Sequence, residues 1–524
     1  MTDLPIPQNC DAGDADTGVD GTGIGAPHLD NGPGPGPGGP PGPPGPKGHL
    51  LANFNGVSDD DNVTTLGGHV TPPDQGLCVG PAGAFRTAGI SLGVPNNTSV
   101  VVEAVNESWS IYSTKGVRLF GPDNLADLFS DGFSSGDVSC NYDPGSKTFF
   151  FAEIGAPNGE FFETGLAVIN AAHGYAAYGV DTAEGGACFP DFPQMGFDDN
   201  GFYLAINEFC GPDQEDFAGA NLYALSKSQL ASESDTINGV AWQGLSLDGI
   251  PVLTLRPAIG DGTKTEYLMN AVSYGADGNS VDVANTLGLW HVDGDKNLTS
   301  GMGSVTLNGK SIKSESYAFP VPAESTGDGS CSNYKDQGCV ITSEQELNPD
   351  DSRLEQLQFV GGRGGGLYTS LNSAMTIGHD PTPVDGAAWF QVDPSGPGKV
   401  VHQGYVGLKG TNLLYPSIVR SGSGALMMGF SMTSPTLDPS TGYVTSKDGG
   451  KHFSPVQTTA VGSTAHRSYS DILFDEPRWG DYSAIAFDPQ GGGVWMANEY
   501  IPSADEGGAD VADNWGTRVW GLKP

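Results

Sequence analysis

The chain of 524 residues carries 62 acidic but only 23 basic side chains, which gives a formal net charge of -39. The field around such a chain repels phosphate backbones and anionic lipids, so nucleic acids and membrane surfaces are disfavoured as partners, while cations such as calcium are favoured. No apolar run reaches the roughly 18 residues of a membrane-spanning helix. A single all-β domain can have this length, so length alone does not require several domains.

The first 48 residues differ in composition from the rest of the chain. The acidic stretch DAGDADTGVD departs from the calcium-binding EF-hand pattern at Gly18, where a third Asp or Asn would stand, so Ca²⁺ remains a candidate ligand without a defined site. Glycine then occupies every third position from Gly36 to Gly48. This composition predicts an extended polyproline spacer, with a short collagen-like trimerising segment as the alternative.

No secretory signal peptide opens the sequence, because MTDLPIPQNC has neither a basic nor an apolar segment. The cysteines nevertheless favour export, since none has the CxxC spacing of a zinc or redox site. We predict three structural disulfides, with Cys10 left over and buried free thiols as the alternative. The six cysteines concerned flank strand pairs or share one loop: Cys78, Cys140, Cys188, Cys210, Cys331 and Cys339. Their spacing does not fix the connectivity, although Cys188 with Cys210 and Cys331 with Cys339 are the expected pairs.

Two apolar stretches around a glycine turn recur seven times after the first 48 residues. The copies are Leu77–Gly83 with Ser99–Val105, Val138–Gly155, Phe192–Phe209, Arg256–Val272, Leu357–Ser373, Ser417–Met432 and Arg478–Tyr500. A third strand follows each copy, and a fourth usually follows the third. Seven units of about four strands predict an all-β, seven-bladed propeller over residues 49–524. A two-sheet sandwich is the alternative, but it requires no sevenfold repetition.

The last repeat lacks its outermost strand, because the sequence ends after its third. An unassigned strand, Gly48–Val57, stands before the first repeat. Since a propeller leaves an open sheet edge unless its first and last blades are joined, we predict that this strand completes the last blade. The sequence does not fix whether that blade belongs to the same chain or to a neighbouring one.

Residues just before each innermost strand ring one mouth of a propeller channel, and here they are rich in Arg, Asp, Tyr and Trp. Carboxylates supply acid and base groups, guanidinium groups bind anions, and aromatic rings stack on sugars. We therefore predict a polar-ligand site at this mouth, with ties between blades as the structural alternative. Its candidate catalytic residues are Asp481, Tyr482 and Asp191. Its candidate ligand-binding residues are Arg478, Trp479, Tyr415 and Arg256.

Two resemblances support this architecture. The stretch TSKDGGKHF, Thr445–Phe453, resembles the Asp-box of sialidase-like propellers, with Ser446, Asp448, Gly450 and Phe453 in the corresponding places. That box shapes a hairpin turn and implies fold rather than activity. The phrases FPDFPQMGFDDNGFYLAINEF, LLYPSI and RWGDYSA are similar to a group of secreted bacterial propeller proteins, which implies a seven-bladed propeller and export but no substrate.

Two functions follow as hypotheses. In the first, an extracellular or cell-surface propeller recognises a polysaccharide, glycan or other polymer at the mouth, and hydrolase or lyase activity is left open. In the second, the chain is a structural surface protein whose N-terminal arm or strand docks on copies of itself. Such a contact joins different surfaces head to tail, and it propagates into filaments unless it closes into a ring.

Overall fold

A computed structural model of the protein describes residues 27–29, 49–129, 135–156, 162–214, 216–260, 264–272, 283–301, 303–326, 346–362, 364–468, 478–506 and 513–523. Seven antiparallel sheets, each built on four strands, follow one another along the chain. They confirm the predicted all-β, seven-bladed propeller. The blades are numbered 1 to 7 in chain order, and the strands of each blade are given from the innermost outward.

The strands of each blade are consecutive in sequence except in blade 7, whose outermost strand comes from the start of the described chain. Blade 1 contains Gly76–Pro81, Ser99–Val105, Ser108–Ser113 and Arg118–Asn124; blade 2, Ser135–Asp143, Thr148–Gly155, Glu163–Asn170 and Gly174–Val180; blade 3, Phe189–Phe197, Gly201–Cys210, Asp216–Ser226 and Gly239–Leu247, extended by Ile250–Pro251; blade 4, Arg256–Pro257, Glu266–Ala271, Val283–Asp293 and Thr306–Ala318; blade 5, Gln358–Val360, Gly366–Ile377, Val384–Asp393 and Lys399–Val406; blade 6, Asn412–Arg420, Leu426–Ser434, Leu437–Ser446 and Gln457–Ala460; and blade 7, Ala484–Phe487, Val494–Tyr500, Gly516–Lys523 and His49–Ser58.

Two short strand pairs lie outside this series. Ala323–Glu324 pairs with Glu346–Leu347 between blades 4 and 5, and His28–Leu29 adds to the second strand of blade 5. The helices are equally short: α-helices at Asp59–Leu66, Gly83–Thr87 and Lys227–Ala231, and 3₁₀ helices at Leu125–Leu128, Asp295–Asn297 and Ala504–Glu506. Among the described residues, no helix is long and apolar enough to cross a membrane.

The second strands of the blades are buried on both faces. All eight residues of Thr148–Gly155, for example, are buried, because blades 1 and 3 pack against the two faces of blade 2. A strand that is covered on both sides reads as a continuous apolar run rather than an alternating one. This is why the repeats could be recognised in the sequence.

Blade 7 takes its outermost strand from His49–Ser58. This strand runs antiparallel to Gly516–Lys523, from His49 opposite Lys523 to Ser58 opposite Gly516. The Arg518 side chain also donates from Nε to Asn53 Oδ1 at 2.7 Å. Among the described residues, the first and last long strands are therefore neighbours in one sheet.

The helix Asp59–Leu66 leads from this strand towards blade 1. Ser58 and Asp61 form a capping box, in which each side chain accepts a hydrogen bond from the other residue's backbone N–H. The helix ends at Gly67, whose φ of 79° is left-handed and therefore suits glycine. Asp61 pairs with Arg118 of blade 1, so the closing strand is linked to the first blade as well as to the last.

Two disulfides are present among the described residues. Cys78 and Cys140 join the innermost strands of blades 1 and 2 across 62 positions of sequence, and Cys188 and Cys210 bridge the first two strands of blade 3. A cross-link that closes a loop as long as the first stabilises the folded state by about 4 kcal/mol in the chain-entropy model. Cys10, Cys331 and Cys339 lie outside the described residues, so the third bridge stays a prediction.

Candidate functional site

The mouth is shaped by bulges at the start of three innermost strands. Asp137, Phe192 and Tyr415, in blades 2, 3 and 6, have positive φ angles of 51°, 57° and 49°. Each lies where the register with the next strand shifts. A left-handed backbone costs a non-glycine residue about 1 kcal/mol or more, so these turns persist only because their surroundings hold them.

The preceding blade holds each of these bulges through a side-chain acceptor. The N–H of Asp137 donates to Asn106 Oδ1 at 2.8 Å, and that of Phe192 donates to Asp137 Oδ2 at 3.0 Å. The N–H of Tyr415 donates to Asn372 Oδ1 at 2.9 Å. The backbone around the mouth is therefore positioned by contacts between blades, which a repeat pattern within single blades does not reveal.

Three carboxyl groups form a hydrogen-bonded chain at the mouth. Asp137 lies within hydrogen-bonding distance of both Asp74 and Asp191. Burial, followed by repulsion from neighbouring carboxylates, raises the pKa of all three groups above the usual range of aspartate. Because like charges this close repel one another, the protonation of these three groups is coupled. The side chains of Asp137 and Asp191 keep partial exposure to solvent.

Arg478 and Asp481 form an ion pair beside this chain of carboxyls. Arg478 Nη2 lies 3.0 Å and 2.9 Å from the two carboxylate oxygens of Asp481. The Asp481 N–H donates to Asp74 Oδ1 at 2.6 Å, which connects the pair directly to the carboxyl chain. Asp481 is also the main cause that raises the pKa of Arg478 above its ordinary value. Both side chains are partly exposed, at 30% for Arg478 and 17% for Asp481, so a ligand can reach them.

A second arginine, Arg353, lies on the connection between blades 4 and 5. It forms ion pairs with Asp350 at 2.6 Å and with Asp351 at 2.9 Å. Its guanidinium group lies 4.5 Å from the centre of the Phe192 ring, and that of Arg256 lies 4.7 Å from the same centre. Two cations therefore lie over one aromatic ring. The electron-rich faces of such a ring attract cations.

Arg256 is more deeply buried than Arg353. Its Nε donates to the backbone oxygen of Leu354, and its Nη2 lies 3.9 Å from Glu355 Oε2. Burial lowers the pKa of Arg256 to about 10 and raises the pKa of Glu355 to about 8. Both groups lie beneath the mouth rather than at its surface.

The predicted aromatic residues lie under the mouth. Tyr482 donates from its hydroxyl to Val138 O at 2.9 Å and packs edge to face on Phe192, with ring centres 5.0 Å apart. Trp479 is only 1% exposed and packs on His466, whose pKa burial lowers to about 3. Tyr415 is 3% exposed, and burial raises its pKa well above the ordinary value. These rings support the mouth from below and leave no open face for a sugar to stack on.

The channel beneath the mouth is narrow. A partly open pocket of about 40 Å³ lies among the innermost strands and is lined by polar groups that include Gln75, Gln194, Arg256, Glu355 and Tyr482. That volume holds a few water molecules, because each water requires some 10 to 15 Å³ of such space. A sugar ring does not fit, so a polymer ligand would contact the mouth from outside.

All seven site residues predicted from the sequence are close to this mouth, and five further ones were not foreseen. Asp191 and Asp481 are joined through Asp137 and Asp74, while Arg256 and Tyr482 both contact Phe192. Four of the unforeseen residues stand on connections between blades, and the fifth, Asp137, stands at the start of the innermost strand of blade 2: Asp74, Asp350, Arg353, Glu355 and Asp137. Their common signal is an acidic side chain or arginine within a few positions of an innermost strand.

Side chains of the types that can bind metal ions (His, Cys, Asp and Glu) lie close together in two places among the described residues. Cys188, Glu208 and Cys210 form one group, but the two cysteines are joined in a disulfide. In the other, His69 Nδ1 lies 2.8 Å from Asp59 Oδ2 and 3.7 Å from Asp513 Oδ2. Calcium prefers oxygen ligands only, so this second group does not fit Ca²⁺ well. The acidic stretch at residues 11–20 lies outside the described residues.

The fold defines the chain as a seven-bladed β-propeller, and comparisons with known proteins add similarity of fold alone. No family model and no curated protein sequence matches the chain. A solved structure of a protein of unknown function from Dyadobacter fermentans is 9% identical with a TM-score of 0.38, over 75% of this chain and 96% of that one. Trypanosoma rangeli sialidase is 8% identical with a TM-score of 0.33, over 74% of this chain and 55% of that one. A structure described as a glycoside hydrolase is 12% identical with a TM-score of 0.28, over 64% and 87% of the two chains.

Proposed function

We propose that the protein is an extracellular propeller that binds a glycan or another polymer at the channel mouth and carries out acid-base chemistry there. The observation that carries this proposal is the chain of carboxyl groups Asp74, Asp137 and Asp191 beside the ion pair of Arg478 and Asp481. Two disulfides support an oxidising, extracellular location. Asp137, Asp191, Arg478 and Asp481 are partly exposed, so a ligand can reach them.

The roles follow from the environment of each group. Burial and the neighbouring Asp137 raise the pKa of Asp191, so it is the proposed proton donor. Asp481 is paired with a cation, so it is the proposed base or nucleophile. Arg478 would bind an oxygen of the ligand with its remaining N–H groups. Tyr482, Tyr415, Trp479 and Arg256 are buried, and the role we propose for them is to hold these groups in place.

Replacing Arg478 by alanine should weaken polymer binding by about tenfold to a hundredfold, because a charge-assisted hydrogen bond contributes about 1.5 to 3 kcal/mol. Binding of the wild type and the variant would be compared on a glycan array and then by calorimetry with the strongest ligand. Arg86→Ala is the matched control, because Arg86 is exposed on the connection after the innermost strand of blade 1, away from the mouth. Equal binding by all three proteins, or no ligand on any array, would count against the mouth as a site.

If the mouth is catalytic, Asp191→Asn and Asp481→Asn should each lower turnover of a polysaccharide substrate by about 10² to 10⁴ while leaving binding largely intact. The measurement is the release of reducing ends or of unsaturated products from a panel of neutral and acidic polysaccharides. Asp199→Asn provides a control, because Asp199 is an exposed carboxylate in the turn at the other end of the innermost strand of blade 3. Turnover that survives in both variants would exclude the assigned roles.

A second candidate function is self-assembly through the N-terminal arm. The observation that favours it is the position of Pro27–Leu29, which dock on blade 5 although that blade already has four strands of its own. A structural protein that joins copies of itself through such a dock would form head-to-tail assemblies. Light scattering of the full-length protein and of a variant without residues 1–47 tests it: we expect assembly of the first and single propellers from the second, and a full-length protein that is a monomer at high concentration would exclude this function.

A further inference from the structure

The Cys188–Cys210 disulfide lies at the mouth end of blade 3. Cys188 directly precedes the innermost strand of this blade, and Cys210 is the last residue of the second strand. Phe189 pairs with Phe209, so the two cysteines come together across neighbouring strands. Cys188 is only 3% exposed, whereas Cys210 is partly exposed and is followed by the exposed residues 211–213. A reagent from solvent can therefore reach Cys210 more easily than Cys188.

A buried carboxyl group, that of Glu208, faces this disulfide. One carboxyl oxygen of Glu208 and the sulfur atoms of Cys188 and Cys210 all lie within 4.8 Å of one another. Glu208 is 2% exposed, and among the described residues neither of its carboxyl oxygens has a hydrogen-bond partner. Leaving a buried polar group unpaired costs about 1 to 3 kcal/mol, so the presence of Glu208 calls for an explanation other than stability.

Two glutamates in similar positions of other blades have the partners that Glu208 lacks. Glu103 in blade 1 accepts the N–H of Val57 at 2.9 Å, and Glu499 in blade 7 accepts the N–H of Gly480 at 2.8 Å. Both stand near the ends of second strands, as Glu208 does. The first two therefore hold neighbouring segments in place, whereas the contact that distinguishes Glu208 is the disulfide beside it.

We propose that the Cys188–Cys210 disulfide exchanges with an external dithiol and that Glu208 supplies the proton that the departing sulfur takes up. One thiol of the dithiol, after losing its proton to solvent, attacks the sulfur of Cys210 and forms a mixed disulfide. The bond between the two cysteines breaks, and the sulfur of Cys188 leaves with the electron pair and takes the proton of Glu208. The second thiol also loses its proton to solvent and attacks the sulfur of its own molecule in the mixed disulfide, which releases Cys210 as a thiolate. Solvent then protonates Cys210 and Glu208, so the protein disulfide is reduced to two thiols and the dithiol is oxidised to a disulfide.

The surroundings of Glu208 suit this proton transfer. Burial is the main cause that raises the pKa of Glu208 to about 8, and the nearby carboxylates of Glu184 and Asp181 add to it. An ordinary cysteine thiol has a pKa of about 8.5, so a proton passes between the two groups at little cost. Tyr223 also faces Glu208, but burial raises the pKa of its hydroxyl, which stays neutral. Glu208 therefore holds a transferable proton below about pH 8 and loses it above that pH.

Reduction of the folded full-length protein by dithiothreitol, followed by alkylation and mass spectrometry of the digested protein, tests the exchange. We expect Cys188–Cys210 to be reduced faster than Cys78–Cys140, whose cysteines are 1% and 4% exposed, by about tenfold or more. Once the rate is divided by the thiolate fraction of the reagent, it should fall as the pH rises through about 8, because Glu208 then loses its proton. Equal rates for the two disulfides, or a corrected rate that does not depend on pH, would overturn the proposal.

The Glu208→Gln variant removes the proton donor with little change of shape. Below pH 8 its disulfide should be reduced about tenfold more slowly than that of the wild type, and its corrected rate should be independent of pH. Glu184→Gln is the matched control, because Glu184 is an exposed carboxylate near Glu208, and its rate should stay within about twofold of the wild type. Thermal unfolding shows whether both variants fold, and if Glu208→Gln does not, the pH profile of the wild type decides alone. A folded Glu208→Gln variant that reacts as the wild type does at every pH would exclude this role for Glu208, and neither outcome depends on polymer binding at the mouth.

Discussion

Replacing Asp385 by asparagine should raise the free energy of unfolding at pH 9 by up to about 5 kcal/mol and leave it nearly unchanged at pH 4. Asp385 is fully buried in blade 5, where Oδ1 accepts the N–H of Val321 at 2.9 Å. Burial raises its pKa to about 8. Because the folded pKa exceeds the unfolded one, this group's contribution to stability is complete below about pH 4 and is lost as the pH rises towards 8.

Urea denaturation at pH 4, 6 and 9 measures this effect. Asp199→Asn, at an exposed site, should change stability by no more than about 0.5 kcal/mol at any of these pH values. Burial also raises the pKa of Glu103 to about 7 and that of Glu355 to about 8, so the wild type should itself lose stability from pH 4 to pH 8. A wild type that is most stable at pH 8, or an Asp385→Asn effect that is independent of pH, would contradict this account.

Replacing Arg353 by methionine should cost about 1.5 to 3 kcal/mol of stability at pH 8, because it leaves two partly buried carboxylates without their cation. Arg353 pairs with both Asp350 and Asp351 and stacks on Phe192. The loss should be smaller at pH 5, because burial raises the pKa of Asp350 to about 8 and its protonated form needs no cation. Thermal and urea unfolding at the two pH values are the measurements.

Two further variants show whether charge is the cause of that loss. Arg86→Met, at an exposed position, should cost no more than about 0.5 kcal/mol. Adding Asp350→Asn and Asp351→Asn to Arg353→Met should restore much of the lost stability at pH 8, since no unpaired carboxylate then remains. If the triple variant is as unstable as Arg353→Met alone, packing on Phe192 is the main contribution of this arginine.

The propeller could be predicted because the pattern that encodes each strand pair lies within one short stretch of sequence. Each repeat carries a pair of strands and the turn between them in one continuous stretch, and burial on both faces makes the strands apolar throughout, as in Thr148–Gly155. The strand expected at Gly48–Val57 is found at His49–Ser58, next to Gly516–Lys523. This strand was assigned to the last blade because it stands before the first repeat and was claimed by no other repeat.

The mouth was predicted only in part, because its geometry depends on contacts between blades. The central position of Asp137 follows from its contacts with Asn106, Asp74 and Phe192, which are distant in sequence. Sequence analysis gave Trp479 a ligand-binding role from its type, whereas the structure buries the ring against His466. Residue type suggests what a side chain can do, but exposure is decided by the packing of distant segments.

The strand that completes blade 7 also sets the order in which the protein can fold. Asn53 and Arg518, which share a hydrogen bond, are separated by 465 positions of sequence, so this contact is among the last that synthesis makes available. At some 5 to 20 residues per second, the early strand waits roughly 25 to 90 seconds for its partner. Until then the early strand presents an unpaired edge, which invites aggregation, and closure over so long a loop is slow. Closure of the ring therefore has to wait until the chain has been synthesised as far as Gly516–Lys523.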